Sequence, residues 1–243
     1  MAPIKTPVAE RSQKACVFIV DDHPVVRQGL TALINQEGDL QVCGDAADSS
    51  QAMDRIVQVK PDIAVIDLSL GDDTGLDLIR RVKGRLPDLN ILVLSMHHES
   101  FYAERVLRAG GRGYIMKEEP PQQILAAIRK VLEGEIYLSD DMSARLLSTL
   151  FESSQGHSAS LVDRLSDREL QVFELIGRGL RTREVAEKLY LSIKTVESHR
   201  ANIKKKLGLK HTNEFVQQAV RWVEYGKEEP EETAGAATQP PVQ

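Results

Sequence analysis

Four short apolar runs in the first half of the sequence each close on residues that can do chemistry. CVFIV leads into Asp21 and Asp22, DIAVI into Asp67, NILVL into Ser95, and RGYIMK runs through Tyr114 to Lys117. Carboxylates crowded at one spot resist joint ionisation unless a cation shares them, and an oxygen-only cluster suits Mg2+ better than zinc. Asp21, Asp22 and Asp67 are therefore expected to ligate Mg2+. A divalent ion also shields incoming phosphate charge, so Asp67 is expected to act as a nucleophile and hold an acyl phosphate. Lys117 would supply a fixed positive charge, and Ser95 a hydroxyl that follows the added phosphoryl oxygens. Each residue alone has a plain structural reading: an Asp after a strand caps a loop or helix, and a Lys or Ser at a strand end is solvated or forms a turn. Their joint placement on four strand ends is what points to a single site.

The elements that must position these groups follow from periodicity. Between residues 14 and 133, short apolar runs alternate with segments of helical period, giving five strands and five helices. Strands with almost no polar alternation are buried on both faces, which predicts a doubly wound, five-stranded parallel sheet of α/β class with right-handed crossovers. In such a sheet, ligands gather at the carboxyl ends of the strands, where the acids, the hydroxyl and the lysine fall. Pro24 is placed to open the first helix, and Gly110 to follow the fourth in a left-handed cap. Residues 134–162 read as a linker with a short helix, and residues 163–226 as a small all-α domain. Residues 1–13 are expected to be flexible, and the acidic, Pro-rich residues 227–243 disordered.

The second chemistry is basic. Within the all-α domain, REVAEKLY is followed by a tight turn and a longer helix starting near Ser192 or Lys194, the spacing of a helix-turn-helix. Val185, Ala186 and Leu189 on the first helix, with Val196, Ile203 and Leu207 on the second, are predicted to form the shared core. Lys194, Thr195, Glu197, Ser198, Arg200, Ala201, Lys204 and Lys205 remain outward, a face suited to phosphates and base edges in a major groove. His199 is expected to pack or cap rather than ligate a metal, since no His or Cys stands at ligand spacing from it.

DDHPVVRQGL, VIDLSLGDDTGLDLI, LSMHHES and AGGRGYIMKEEP resemble the flavodoxin-like receiver domain of bacterial two-component response regulators. That resemblance implies phosphorylation of Asp67 by a sensor histidine kinase. It also implies Mg2+ held by Asp22, Asp67 and the backbone carbonyl of Ser69 with Asp21 assisting, and Ser95 and Tyr114 coupling the event to the fourth helix and fifth strand. One departure is Gly71, where receivers usually carry proline; with Asp72 and Asp73 beside it, a looser loop and an altered metal affinity are expected. LSDRE, Glu184 to Ala186 and LSIKTVESHRANIKKKLGL resemble the LuxR-type DNA-binding domain, and the combination is that of the NarL/FixJ class. Carried over residue by residue, Glu197, Ser198 and Ala201 would face bases, and Lys194, Thr195, Arg200, Asn202 and Lys204 phosphates. KHTNE stands where an arginine-containing step is common, so one phosphate contact would be missing or moved to Lys210. The class further implies a transcription factor rather than an enzyme, binding promoter half-sites in double-stranded DNA as a homodimer. The last helical stretch, FVQQAVRWVEY, would either pair two copies or belong to the core.

Composition is compatible with this division. The chain has 243 residues, 42% hydrophobic and 28% charged, with a net charge of −5, and its basic stripe from Lys194 to Lys210 is opposed only by Glu197. No apolar run approaches the roughly 18 residues of a membrane helix, and the first residues lack the apolar stretch of a secretory signal, so a cytoplasmic location is expected. Cys16 and Cys43 are read as separate small hydrophobes in a reducing compartment, without a functional role. Two rival classes fit less well. A phosphatase of the haloacid-dehalogenase type would carry a second Asp two residues after the nucleophile, where Ser69 stands; a quorum-type ligand sensor would need an upstream aromatic-lined pocket, whereas the single tryptophan is Trp222.

Overall fold

The computed structural model describes residues 14–71, 73–153 and 161–225. The expectations of a flexible residue range 1–13 and a disordered tail at 227–243 lie outside these residues, as do Asp72 and part of the linker. The chain divides into two compact units, Met1–Ala159 and Ser160–Gln243.

The first unit is built on a parallel sheet of β1 (Ala15–Val20), β2 (Leu40–Ala46), β3 (Ile63–Ile66), β6 (Asn90–Ser95) and β7 (Gly113–Met116), in the order β2-β1-β3-β6-β7. A two-residue antiparallel pair, β4 (Ser69–Leu70) and β5 (Asp73–Thr74), follows β3. The crossovers are α1 (Pro24–Asn35), α2 (Ser49–Val59), α3 (Gly75–Arg85), α4 (Glu99–Arg108) and α5 (Pro121–Leu132). The apolar runs form the sheet because only burial on both faces suits them, and every residue of β3 is buried. Val17, Ile19, Val65, Leu92 and Ile115 pack with Ile124, Ile128 and Val131 into one core. Pro24 starts α1 as expected, and Gly110 follows α4 at φ +99°. The chain leaves β1 for β2 on one side while β3 pairs on the other. That reversal opens the crevice in which doubly wound sheets hold ligands, and the carboxyl ends of β1 and β3 flank it.

One expectation is corrected. Cys16 and Cys43 are not separate hydrophobes; they form a disulfide between β1 and β2 with Cα atoms 5.5 Å apart. Residues 27 apart in sequence become neighbours only through the parallel pairing, which spacing alone does not reveal. Gly71 takes φ +58° between β4 and β5, a conformation glycine adopts without a Cβ clash. Asp73 beside it accepts from the Ser49 hydroxyl at 2.5 Å and pairs with Arg81 at 2.6 Å, so its charge is engaged away from the acid cluster.

After α5 the linker returns to the sheet. Tyr137 NH donates to the Arg112 carbonyl at 3.0 Å, and its own carbonyl accepts from Tyr114 NH at 2.9 Å, which covers the exposed edge of β7. Helix α6 (Asp140–Ser153) follows, with Ser139 NH donating to the Glu99 carboxylate at 3.0 Å.

The second unit holds a short 3-10 turn (Leu161–Arg164), α7 (Asp167–Gly177), α8 (Thr182–Lys188), α9 (Ile193–Leu207) and α10 (Thr212–Tyr225). Ser166 caps α7 in a reciprocal capping box with Glu169. Ser192 caps α9, its hydroxyl accepting from Thr195 NH at 3.0 Å, and Gly208 ends it in the left-handed conformation. Val185, Ala186, Leu189, Val196 and Ile203 are buried as expected, while Leu207 is only half-buried. Phe215 and Ala219 of α10 are fully buried, and the Phe215 ring meets Phe173 edge-on at 5.7 Å. Of the two roles open to the last helix, these residues belong to the core.

Candidate functional site

The residues at the strand ends converge. Asp21, Asp22 and Asp67 each offer a carboxylate oxygen, and His23 a ring nitrogen, all within 4.8 Å of one another. Asp21 and Asp67 are buried, Asp22 half-buried and His23 exposed. Lys117 reaches from the end of β7 with its Nζ 2.5 Å from Asp21 Oδ2 and 2.6 Å from Asp67 Oδ2. Lys117 NH, bonded to the Ser95 carbonyl at 2.9 Å, continues the pairing of β6 and β7 and so aims the lysine at the crevice. His23 Nδ1 lies 2.6 Å from Asp22 Oδ1, close but without hydrogen-bond alignment.

The electrostatics favour a cation. Burial pushes the Asp67 carboxyl above its ordinary value, and the Asp21 charge adds to this while Lys117 opposes it. Burial pulls the Lys117 ammonium down, yet Asp67 and Asp21 together hold it above its ordinary value. The second oxygen of Asp67, Oδ1, is buried with no hydrogen-bond partner among the described residues. An anionic oxygen left so carries a large desolvation cost, which an oxygen-seeking cation would remove. One ammonium against three carboxylates leaves the cluster net negative, so this donor set fits a divalent metal ion.

Sequence reasoning missed several supports. Gly75 opens α3 against Asp67, and a Cβ there would stand 2.2 Å from the Asp67 carbonyl oxygen; only glycine allows that approach. Arg27 donates to the Asp21 carbonyl at 2.7 Å and to Asp45 at 2.9 Å, fixing the end of β1. His97 joins three of the expected residues. Its NH donates to Ser95 Oγ at 3.2 Å, its Nε2 lies 3.1 Å from Ser69 Oγ, and its carbonyl accepts from the Tyr114 hydroxyl at 2.7 Å. Ser95 and Tyr114 are buried at 0% and 1% exposure. Arg27, Gly75 and His97 all lay inside quoted motifs, but nothing in their spacing set them apart as supports, and nothing distinguished His97 from His98.

The second unit presents a different kind of surface. Lys194, Glu197, Ser198, Ala201, Asn202 and Lys205 are exposed along α9, while Thr195, Arg200 and Lys204 are half-buried. Ser198 Oγ donates to the Lys194 carbonyl at 3.0 Å and Thr195 Oγ1 lies 2.7 Å from Ser192 Oγ, so these hydroxyls are occupied within the helix. Arg200 donates to Thr182 Oγ1 at 2.5 Å and its guanidinium lies 5.5 Å from the centre of the Phe215 ring, which ties α9 to α8 and α10. His199 is half-buried, as expected of a packing residue.

Comparison with known proteins matches both units. Residues 17–129 match the response regulator receiver domain, and residues 163–219 the luxR family of bacterial regulatory proteins. The oxygen regulatory protein NreC of Staphylococcus aureus is 38% identical over 209 residues, spanning 84% of this chain and 96% of that protein. Among solved structures, a LuxR family two-component response regulator from Aurantimonas sp. SI85-9A1 is 31% identical with a TM-score of 0.54, over 57% of this chain and 99% of that one. RcsB from Salmonella enterica serovar Typhimurium, bound to promoter rprA in the presence of phosphomimetic BeF3−, is 26% identical with a TM-score of 0.55, over 86% and 99% of the two chains. With a receiver-type acid cluster at the ends of β1 and β3 and a helix-turn-helix in α8 and α9, the chain belongs to the NarL/FixJ class of two-component response regulators.

Proposed function

We propose that Asp67 accepts a phosphoryl group from the phosphohistidine of a sensor histidine kinase, and that its occupancy controls binding of α9 to promoter half-sites in double-stranded DNA. The observation that carries this reading is the placement of Asp67: one oxygen on Lys117 at 2.6 Å, the other buried and unpartnered beside Asp21 and Asp22. The free oxygen attacks phosphorus in line, the P–N bond to the kinase histidine breaks, and the imidazole leaves with the bonding electron pair. Asp21, Asp22, Asp67 and the Ser69 carbonyl would hold Mg2+, which when bound shields the charge on the transferring group. Lys117 stays on Asp67 and Asp21 to neutralise the product. Ser95, on the neighbouring strand end, offers its hydroxyl to the new oxygens. Because His97 takes the Ser95 hydroxyl through its NH and the Tyr114 hydroxyl through its carbonyl, a change at Ser95 reaches Tyr114 and the start of α4.

On the DNA side, Glu197, Ser198 and Ala201 face base edges, and Lys194, Thr195, Asn202 and Lys204 contact phosphates, with Arg200 bracing the helix from behind. A single small domain offers limited contact area, so a homodimer on two half-sites raises affinity through effective concentration. This is the behaviour of a cytoplasmic transcription regulator rather than of a hydrolase, in keeping with Ser69 at the place of a second Asp. The test is a DNA-binding selection with purified protein, with and without a phosphodonor, comparing wild type with Asp67→Asn. Donor-dependent enrichment by wild type alone supports the reading; identical binding in every arm removes the receiver from regulation.

A further inference from the structure

The phosphoryl chemistry leaves one built feature of the receiver unused, the Cys16–Cys43 pair. Its place in the sheet is specific. Val17 stands opposite Val42 and Phe18 opposite Gly44, so Cys43 is the extra residue of a bulge in β2. Gly44 makes that bulge possible, since a Cβ there would lie 2.6 Å from the Phe18 ring. Both cysteines are half-buried, and β2 is an edge strand, so a small thiol or disulfide can reach the pair. Cys43 Sγ also lies 3.4 Å from the Val17 carbonyl. A reduced Cys43 thiol therefore has an acceptor in place and needs no rearrangement to be satisfied.

We propose that Cys16 and Cys43 are a reversible dithiol–disulfide couple, exchanging with low-molecular-weight thiols and disulfides, whose state tunes phosphoryl acceptance at Asp67. The coupling rests on the phosphoacceptor reading above; the couple itself does not. In the oxidising direction, one cysteine thiolate attacks a sulfur of the small disulfide, forming a mixed disulfide and releasing one small thiol. The second cysteine thiolate attacks the protein-bound sulfur, closing Cys16–Cys43 and releasing the other small thiol. The two cysteines lose two electrons and two protons, and the small disulfide gains both.

The route to the site is short. Asp45, two residues beyond Cys43, accepts from Arg27 at 2.9 Å, and the same guanidinium donates to the Asp21 carbonyl at 2.7 Å. Asp21 NH donates to the Ala46 carbonyl at 3.2 Å. The end of β1 is thus held by the part of β2 that follows the bulge. The disulfide locks the bulge covalently; in the reduced form only packing and hydrogen bonds keep its register, and the placement of Asp21 loosens with it.

The experiment uses the full chain equilibrated in glutathione buffers of graded poise. Free thiols are counted with a mass-tagged maleimide, and the rate of labelling by acetyl phosphate with Mg2+ is measured at each poise. A concerted, reversible two-thiol transition is expected, with the oxidised form labelled about threefold faster, a modest coupling for a site reached through a strand. Cys16→Ser and Cys43→Ser should make the rate independent of poise, which separates the couple from effects of the buffer. Two free thiols at every poise, or a disulfide that glutathione never opens in the folded chain, overturns the couple. Equal labelling rates for the two wild-type forms overturn the coupling. If neither form takes label, the phosphoacceptor reading falls and takes the coupling with it, while the thiol count still decides whether the couple exists.

Discussion

The two functional regions are built on opposite plans. At the receiver site, Asp67, Ser95 and Tyr114 are nearly inaccessible, and each polar group is aimed by a strand end and a backbone bond. On α9, the residues proposed to face bases are exposed, and the helix that carries them is secured by groups behind it, Val196, Ile203 and Arg200. The first plan prepays the ordering of charges before a small ligand arrives; the second leaves recognition to be realised on contact with a large partner. Substitutions should accordingly be all-or-none in the receiver and graded on α9.

The largest effects test the first half of that contrast. Asp67→Asn should abolish hydroxylamine-labile labelling, and Lys117→Ala should slow it on the order of 100-fold, the scale for removing one fixed charge from a developing oxyanion. A phosphate-affinity gel reads both, and near-normal labelling of Lys117→Ala would show that the site is less preorganised than its geometry implies. Next comes backbone placement. Gly75→Ala drives a Cβ toward the Asp67 carbonyl, so thermal melting should fall by about 1–3 kcal/mol and labelling should fall with it. Gly84→Ala, in the same helix with open space around it, should gain roughly 0.5–1 kcal/mol and leave labelling alone. If both substitutions behave alike, the close approach at Gly75 has no bearing on the site.

Smaller, graded changes belong to α9. Lys194→Ala should weaken binding to every sequence alike and lower the salt slope of log affinity by about 0.9, whereas Glu197→Gln should alter sequence preference with little change in slope. Arg200→Ala tests the boundary between the two plans. It loses the Thr182 bond and the Phe215 face, so the free domain should melt lower by about 1–2 kcal/mol before any DNA is added. An unchanged melt with weakened binding would return Arg200 to the phosphate-contacting set.

How much of this was legible in the sequence follows the same division. The strand ends announced Asp21, Asp22, Asp67, Ser95 and Lys117 because apolar runs fix where a parallel sheet stops, and the helix-turn-helix announced its core through helical spacing. Features made by tertiary approach were silent. Gly75 is an ordinary glycine until Asp67 is placed against it, and Cys16 and Cys43 are unrelated until β1 meets β2. Arg200 reads as one more basic residue on an outward face, yet the packing of α10 turns it into a brace.

The smallest expected effect concerns acid, and it falls on the second unit. Glu169 of α7 is buried, accepts from Ser166 NH at 2.7 Å and pairs with Lys206 of α9 at 2.6 Å. Burial raises its carboxyl, but Lys206 and the Ser166 NH outweigh this and hold it below the ordinary value of 4.5. A carboxylate lowered in the folded state contributes stability above its unfolded value and loses it as the pH falls through the folded one. His199 nearby is lowered from 6.5, chiefly by burial, so the unfolded chain protonates first as the pH drops through that value. The DNA-binding unit should therefore lose stability in two steps on acidification, one beginning near 6.5 and one below 4.5. Glu169→Gln should cost about 1 kcal/mol at neutral pH, as a weakened cap does, and flatten the lower step; His199→Gln should flatten the upper one. Melting the full chain across this range while following Trp222 reports on the second unit alone, and a single step that survives both substitutions would place the acid sensitivity elsewhere.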